Sequence, residues 1–486
     1  MTTYEDAIEL AKRRGFFWPS FSLYGGISGF YDYGPLGVLM RDNIVRVWKE
    51  SYLADGSIFI DTPVVVPSPV FRASGHLDKF SDLGTECQKC HSREKLETVM
   101  KASGFDQVFK SVQAANEFLS NNTVKCVSCG NRITEARDFQ VMFSLPGQGG
   151  GTDLYLRPET AQGIIVNFKL LNTVFRGKLP MAVAQYGKGF RNEISPRQSL
   201  IRLREFNMAE VEVFVDPIRK FWKDFKAVLP LSLIPRDGDQ TRTDVSSALA
   251  SGIISSNALA YFMEKTASIL ARVGIDSSKL RFRQVSKDDL AHYSADTWDV
   301  EVEIDDDWVE VTGIADRNDL PNHERSSGES MSILVDDKPV VPSIIEPASG
   351  IDRILLSVLV HTYYRRQNGF KVLRLPPEIA PYNAAILPLV NKDNVNVVAS
   401  EFFNRIIASN PYVAYDQSGS IGRRYARQDE AGTPYCITFD YDSLSDGTVT
   451  VRERDSADQV RVNSEKILAE SRSLLHYLET LFHVKS

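Results

Sequence analysis

Between Gln185 and Phe214 the chain gathers side chains suited to holding anions. Two short apolar segments, AVAQYGKGF and FNMAEVEVF, flank a loop carrying Arg191, Arg197, Arg202 and Arg204. Pro196 keeps that loop out of helix. Planar guanidinium forks match phosphate oxygens better than a lysine ammonium does. Acids recur at Glu193, Glu205, Glu210 and Glu212, and on a strand Glu210 and Glu212 share one face. A solvated hairpin with a salt-bridged loop accounts for the same residues equally well, so the surroundings must decide.

A second set of residues suits a metal. Cys87/Cys90 and Cys126/Cys129 form two CxxC hooks, each offering two thiolates from a tight turn to a tetrahedral zinc. The intervening ASGFDQVFKSVQAANEFL reads as a helical filler. His91 is expected to be a spectator, and Cys436, alone in PYCITFD, a core thiol. Five cysteines so placed do not make a disulfide framework.

Single acids and arginines elsewhere complete the inventory. Glu159 follows Pro158 at a helix start, where a carboxylate also serves as a cap. The glycine-rich loop before it lacks the GK[ST] ending of a P-loop. Glu310 lies on an alternating strand with Asp316 and Arg317 just beyond, and two acids near a nucleotide suit magnesium. In EPASGIDRILLSVLV, Glu346 ends a strand and Gly350 permits close backbone approach. Arg353 falls in the first turn of the next helix, where the dipole disfavours a cation and an anion would compensate.

The elements that must position these groups follow from period and punctuation. Residues 4–14 have helical spacing up to Gly15, and FFWPSFSLYGGISGFYDYGPLG is expected to pack its backbone closely. A long amphipathic helix begins after Pro35, with Leu36, Leu39, Ile44, Val47 and Trp48 inward. SIFIDTPVVVPSPVF reads as a buried-type strand containing Pro63. Residues 217–290 read as a mainly helical insertion, and 281–314 as antiparallel strands. From Lys371 strands alternate with helices, which marks a separate α/β unit with Arg423, Arg424 and Arg427 in a basic loop.

At 486 residues the chain is long enough for two to four cores. A net charge of -7 excludes a generally basic nucleic-acid coat but not a local basic patch. No apolar run is long enough to cross a membrane, and the first residues lack an apolar leader core, so a cytoplasmic location is the expectation.

Taken together, these segments resemble a known family. Phe190, Arg191, Glu193, Arg202, Phe206 and Glu210 are similar to motif 2 of class II aminoacyl-tRNA synthetases. The helix and strand ending in Pro63 look like motif 1, and Gly350–Arg353 with its apolar helix looks like motif 3. More narrowly, YDYGPLG, ASGHLDKF, RPETAQG, FRNEISPR, REFNMAE and SIGRRYARQDEAG resemble the dimeric glycyl-tRNA synthetase type across nearly the whole chain.

The resemblance implies an α+β fold, an antiparallel sheet flanked by helices with bent ATP bound across it. It implies a class II catalytic unit over 1–370, a zinc-containing insertion at 77–137, and an anticodon-binding α/β unit over 371–486. Arg191 would hold the α-phosphate and the amino-acid carboxylate, with Arg353 and Arg202 on the γ-phosphate side. Phe206 would stack under adenine against Arg353. Asn192, Glu193, Ile201, Leu203, Val311 and Gly350 would complete the ATP site, with Glu310 on Mg2+. Glycine's ammonium would sit among Glu159, Glu210 and Glu346, with Arg93 and Ser349 nearby. Cys87, Cys90, Cys126 and Cys129 would hold structural Zn2+, and Arg423, Arg424 and Arg427 would meet the anticodon. tRNA(Gly), glycine and ATP are the implied partners, and motif 1 implies a homodimer. One departure stands out: the family commonly reads Glu-Pro-Ser before motif 3, and here Ala348 replaces that serine, with Ser349 as its candidate substitute.

Overall fold

The computed structural model describes residues 1–486 apart from 1–2, 110, 148–151, 195, 197–198, 228, 291–293 and 484–486. Arg197 and most of the glycine-rich loop therefore lie outside the described residues. The largest sheet has nine strands: β1 Ile58–Phe59, β2 Met181–Phe190, β3 Glu205–Val215, β4 Pro230–Ile234, β5 Thr241–Asp244, β6 Leu280–Gln284, β7 Ser294–Ile304, β8 Asp307–Arg317 and β9 Ser343–Gly350. Their spatial order is β5-β4-β6-β7-β8-β9-β3-β2-β1. Every contact is antiparallel except β1 with β2 and β4 with β6.

Three helices close the back of this sheet: α1 Pro35–Leu53, α2 Asn257–Arg272 and α3 Ile351–Thr362. Ile44, Trp48 and Tyr52 of α1, Ile269 and Leu270 of α2, and Ile351 and Ile354 of α3 meet around one small apolar cavity under β9. Pro35 opens α1 at its first turn, where its missing N–H is not needed. The expected close packing of the aromatic segment is visible at Gly37, where a Cβ would fall 1.8 Å from the Phe16 carbonyl oxygen. With these helices behind, the front of β2, β3 and β9 is covered at one end, where Ala161, Ile164, Phe168 and Leu171 cluster with Met181, Val183, Phe214 and Ile344, and holds a cleft at the other.

Two expectations are corrected here. SIFIDTPVVVPSPVF is not one buried strand: it is β1 and a separate Val65–Pro67 strand, with Val64 and Val65 exposed. Buried Arg157 donates to the Thr62 carbonyl (2.7 Å), and the Arg157 amide donates to the Val64 carbonyl (2.9 Å), so strand pairing is interrupted around Pro63. The reading of 217–290 as mainly helical is incomplete, because beside its helices, Val245–Ala250 and α2, it carries β4, β5 and β6, which extend the sheet itself. PLSLI and TRTD are too short and too polar to carry a readable period of two.

A second apolar core draws its buried residues from Ala384 to Leu478. Its five-stranded sheet has Val413–Tyr415, Ala384–Pro388 and Tyr435–Phe439 parallel, with Thr448–Glu453 and Gln459–Asn463 antiparallel. Cys436 is buried on its central strand, as expected of a core thiol, and burial pushes that thiol up to about 12.

Candidate active site

β2 and β3 pair without interruption from Met181 opposite Phe214 to Phe190 opposite Glu205. That register sets Phe206 opposite Gly189, where a Cβ would come 2.6 Å from the Phe206 ring. The ring can lie flat on the hairpin only because no side chain stands there. Arg191 follows directly, its guanidinium carbon 5.5 Å from the centre of the Phe206 ring and 5.2 Å from that of Phe80. Its Nε reaches the Pro158 carbonyl at 3.4 Å, and among the described residues no carboxylate pairs with it.

Ten of the expected nucleotide residues line one cleft: Arg191, Glu193, Ile201, Arg202, Leu203 and Phe206 from the hairpin, and Glu310, Val311, Gly350 and Arg353 from β8, β9 and α3. Arg353 is held in place from below, donating to the carbonyls of Ile201 (2.8 Å) and Glu310 (2.7 Å) and lying 3.3 Å from the Glu310 carboxylate. Glu310 thus supplies part of the compensation that an arginine at a helix start requires. Glu193 Oε2 is buried, 3.8 Å from the Arg202 guanidinium, and among the described residues no donor bonds it. A buried acceptor left open inside a cleft fits a ligand N–H.

Deeper in the same cleft lie Glu159, Glu210 and Glu346, each at least nine-tenths buried. Glu159 does not cap its helix. Its Oε1 accepts from Gln162 (3.0 Å) and lies 3.4 Å from Arg317, and its Oε2 is 3.5 Å from His76. Arg317, fully buried, donates to Glu346 (2.5 Å) and clamps Asp319 with two further bonds (2.9 and 2.6 Å). Glu210 accepts from the Thr160 amide (2.5 Å) and from its hydroxyl. Adding Glu212 and Asp319, five buried carboxyls among the described residues share two buried guanidinia, Arg317 within the cluster and Arg157 within electrostatic range of Glu210. Such a cluster is short of positive charge, and an ammonium would correct it.

The carboxyls respond to that shortage differently. Burial pushes Glu159 up, but His76 and Arg317 outweigh it and hold it well below the usual range. Burial, then Glu346 and Glu159, push Glu210 up to about 8. Burial and Glu346 raise Glu212 well above its ordinary value. The folded protein therefore keeps a proton on Glu210 up to about pH 8, whereas the unfolded chain releases it near 4.5. The stabilisation this proton gives is complete below about 4.5 and is lost as pH rises to about 8. Thermal midpoints of the ligand-free protein are expected to fall between pH 6 and 8.5, and Glu210→Gln to flatten that slope. An unchanged slope in the variant would overturn the assignment.

Several expected residues are placed elsewhere. Asn192 does not line the cleft; its N–H donates to the Val141 carbonyl (2.6 Å). Ser349 faces the helices behind the sheet, bonded to Thr312 Oγ1 (2.9 Å), because alternation along β9 puts Glu346, Ala348 and Gly350 forward. It cannot replace the hydroxyl missing at Ala348. Arg93 is outside the cleft wall, paired across its strand with Glu86 (2.9 Å) and packed over Phe139. Asp316 is tied to Lys220 (2.5 Å), and the acid that Glu310 instead raises, after burial, is Asp299, pushed up to about 7. Arg204 bonds the Glu193 carbonyl (3.0 Å), and Arg424 is buried with its guanidinium on the carbonyls of Pro388, Gln417 (2.6 Å) and Gly419 (2.7 Å). Neither is available to an anion. Arg427 pairs with Asp416 (2.7 Å), and Arg423 is exposed.

Sequence reasoning missed Arg317, Thr160 and His76, and also the floor of the nucleotide half. There Asp352 accepts from the amide (2.5 Å) and side chain (2.7 Å) of Asn207 and from the Tyr33 hydroxyl. Asp352 was in view inside GIDR, and Thr160 inside RPET. Arg317 carried no signal beyond its place next to Asp316.

The four knuckle cysteines converge, all sulfurs within 4.8 Å of one another, with Cys87–Cys129 and Cys90–Cys126 at 3.6 Å. Four thiolates at about 2.3 Å from one ion would stand roughly 3.8 Å apart, so the set fits a tetrahedral metal. The two hooks repeat each other: the Cys87 amide bonds Ser92 O (2.9 Å) and the Cys126 amide bonds Asn131 O (2.7 Å). His91 (φ 56°) stands where the second hook has Gly130 (φ 70°), which makes it a turn residue.

Comparison with known proteins fits this arrangement. The tRNA synthetase class II core domain (G, H, P, S and T) matches residues 139–231, and the anticodon binding domain matches 383–474. The glycine–tRNA ligase of Methanothrix thermoacetophila is 38% identical over 98% of this chain and 97% of its own length. The chain belongs to the glycine–tRNA ligase family. Another member of that family, from Methanocaldococcus jannaschii, is 36% identical over 96% of this chain and 98% of its own. Both alignments exceed 486 positions, so these glycine–tRNA ligases carry segments that this chain lacks. The fold is shared more widely. Giardia lamblia prolyl-tRNA synthetase, solved with prolyl-adenylate, superposes with a TM-score of 0.59 at 15% identity, covering 98% of this chain and 80% of its own. The structure titled as the RNA binding domain of threonyl-tRNA synthetase from Cryptosporidium parvum gives 0.63 at 16%, covering 96% and 98%. Like other glycine–tRNA ligases, the chain is an aminoacyl-tRNA synthetase with a class II core, and among its described residues no helix is long and apolar enough to cross a membrane.

Proposed function

We propose that Glu159, Glu210 and Glu346 hold the ammonium of glycine while Arg191 holds its carboxylate against the α-phosphate of ATP. The observation that carries this reading is one cleft with a charge-deficient carboxylate cluster at its base and, at its mouth, an arginine that no carboxylate among the described residues pairs with. A carboxylate oxygen of glycine attacks the α-phosphorus, the bond to the bridging oxygen breaks, and pyrophosphate leaves. The terminal ribose hydroxyl of tRNA(Gly) then attacks the glycyl carbonyl and releases AMP. Neither step needs a nucleophilic side chain: orientation and neutralisation of the developing charge suffice. Arg353 and Arg202 face the leaving phosphates, Phe206 carries adenine, and Glu193 Oε2 accepts from the adenine amine. Side chains larger than hydrogen are refused by lack of room.

Glu310, with Asp299 lining the same hollow, would hold magnesium, which would supply positive charge to offset that of the phosphates. The four cysteines would hold zinc as a structural ion, and metal analysis is expected to give one zinc per chain. Exposed Arg423 is the remaining arginine of the basic loop for anticodon contact, within a unit taken as 371–486. Motif 1 leaves Leu53, Val64 and Val65 exposed, as a dimer interface would, and the reading is of a cytoplasmic homodimer. The test is ATP–pyrophosphate exchange with purified protein. Exchange should depend on glycine, and failure of glycine to support it would overturn the proposal.

A further inference from the structure

The foot of the cysteine-rich insertion touches both halves of the cleft. His76–Lys79 is one helical turn, closed by the Phe80 amide on the His76 carbonyl (3.2 Å). The His76 imidazole is buried, with Nδ1 on the Ser74 hydroxyl (2.7 Å) and Nε2 3.5 Å from the Glu159 carboxylate. Phe71 and Phe80 stand edge-on to it at 5.8 and 5.4 Å. Nε2 is thus the ring nitrogen that faces the Glu159 carboxylate, to which it donates whenever it carries a proton. Four residues later the Phe80 ring covers the guanidinium of Arg191.

The same foot is bonded into the hairpin loop. The Phe80 carbonyl accepts from the Val141 amide (3.2 Å), and the Val141 carbonyl accepts from the amide of Asn192, the neighbour of Arg191. Gly84, on the first strand of the insertion, packs so closely that a Cβ would lie 2.8 Å from Ile194 Cδ1.

We infer that His76 and Phe80 are positioning residues that act through Glu159 and Arg191, so that the insertion sets the grip on both ends of the amino acid. The inference rests on the reading of Glu159 and Arg191 as the two anchors of glycine. Phe80 and Phe206 flank the guanidinium at 5.2 and 5.5 Å, and His76 holds the second oxygen of Glu159 while Gln162 and Arg317 hold the first. Small misplacements of groups at a reacting centre cost rate steeply.

The test uses the full chain in glycine-dependent pyrophosphate exchange, with thermal midpoints recorded alongside. Phe80→Leu should lower kcat by about ten-fold with the ATP KM changed less than about two-fold, and Phe80→Tyr, which keeps the ring, should recover most of it. His76→Leu should raise the glycine KM by about ten-fold and leave that of ATP alone, whereas His76→Gln, which can still donate towards Glu159, should stay within about three-fold. Should Phe80→Leu fail to accumulate folded, Phe80→Met takes its place. Lowered midpoints with unchanged kcat and KM, or a Phe80→Tyr variant as impaired as Phe80→Leu, would overturn the inference. Arg191→Lys run in parallel separates the two claims: normal exchange by that variant refutes the anchor reading itself. Loss there with wild-type behaviour of Phe80→Leu and His76→Leu refutes only the positioning role.

Discussion

Arg191→Lys is expected to lower kcat for glycine-dependent exchange by on the order of 10²–10³-fold, with little change in thermal midpoint. Lysine keeps the charge, so the loss measures geometry. A guanidinium offers two parallel donors and a flat face that stays between the rings of Phe80 and Phe206. An ammonium can approach only one oxygen at a time and has no plane to stack. Among the described residues the Arg191 side chain donates one long hydrogen bond, to the Pro158 carbonyl, and otherwise lies near two rings, so its exchange for lysine should cost little stability. A variant retaining more than about a tenth of wild-type kcat would contradict the placing of Arg191 at the reacting phosphate.

Glu159→Gln is expected to raise the glycine KM by about 2–5 kcal/mol of lost binding, at least about thirty-fold, while the ATP KM moves less than about three-fold. Glu159 is the carboxylate that His76 and Arg317 keep ionised, so it provides the lasting negative charge for the ammonium. The amide fills the same volume and can still accept from Gln162, which leaves charge as the main difference. Equal losses for glycine and ATP would overturn the placing of Glu159 at the ammonium and leave it a member of the buried network of Gln162, Arg317 and His76. Steady-state exchange kinetics with each substrate varied in turn distinguishes the outcomes.

Much of this site was legible because its chemistry sits at short, fixed spacings. Arg191, Glu193, Arg202, Phe206 and Glu210 come from one hairpin, and period two alone tells which of them share a face. The misreadings have physical causes of the same kind. Ser349 is next to the position where the family has its serine, but its parity on β9 turns it towards Thr312 and the helices behind the sheet. Arg424 looks like a nucleic-acid contact in the chain, yet it spends its donors on carbonyls of its own unit, and nothing in composition separates the two uses. Arg317 is joined to Glu159 and Glu346 only once β8 and β9 lie side by side, so no local pattern announces it. β4, β5 and β6 were hidden for a different reason: strands this short borrow their stability from neighbours and leave little period to read.

The ends of the nine-stranded sheet have a bearing on how the chain behaves at high concentration. A synthetase sheet that must keep its front open cannot cover everything with helices, and unpaired strand edges invite copies of the chain to zip together. Here one edge, β1, offers only two residues, and the other, β5, offers the four polar residues TRTD. Neither gives a ladder long enough for edge-to-edge pairing. The open face that admits substrates is thus combined with rims too short to seed aggregation.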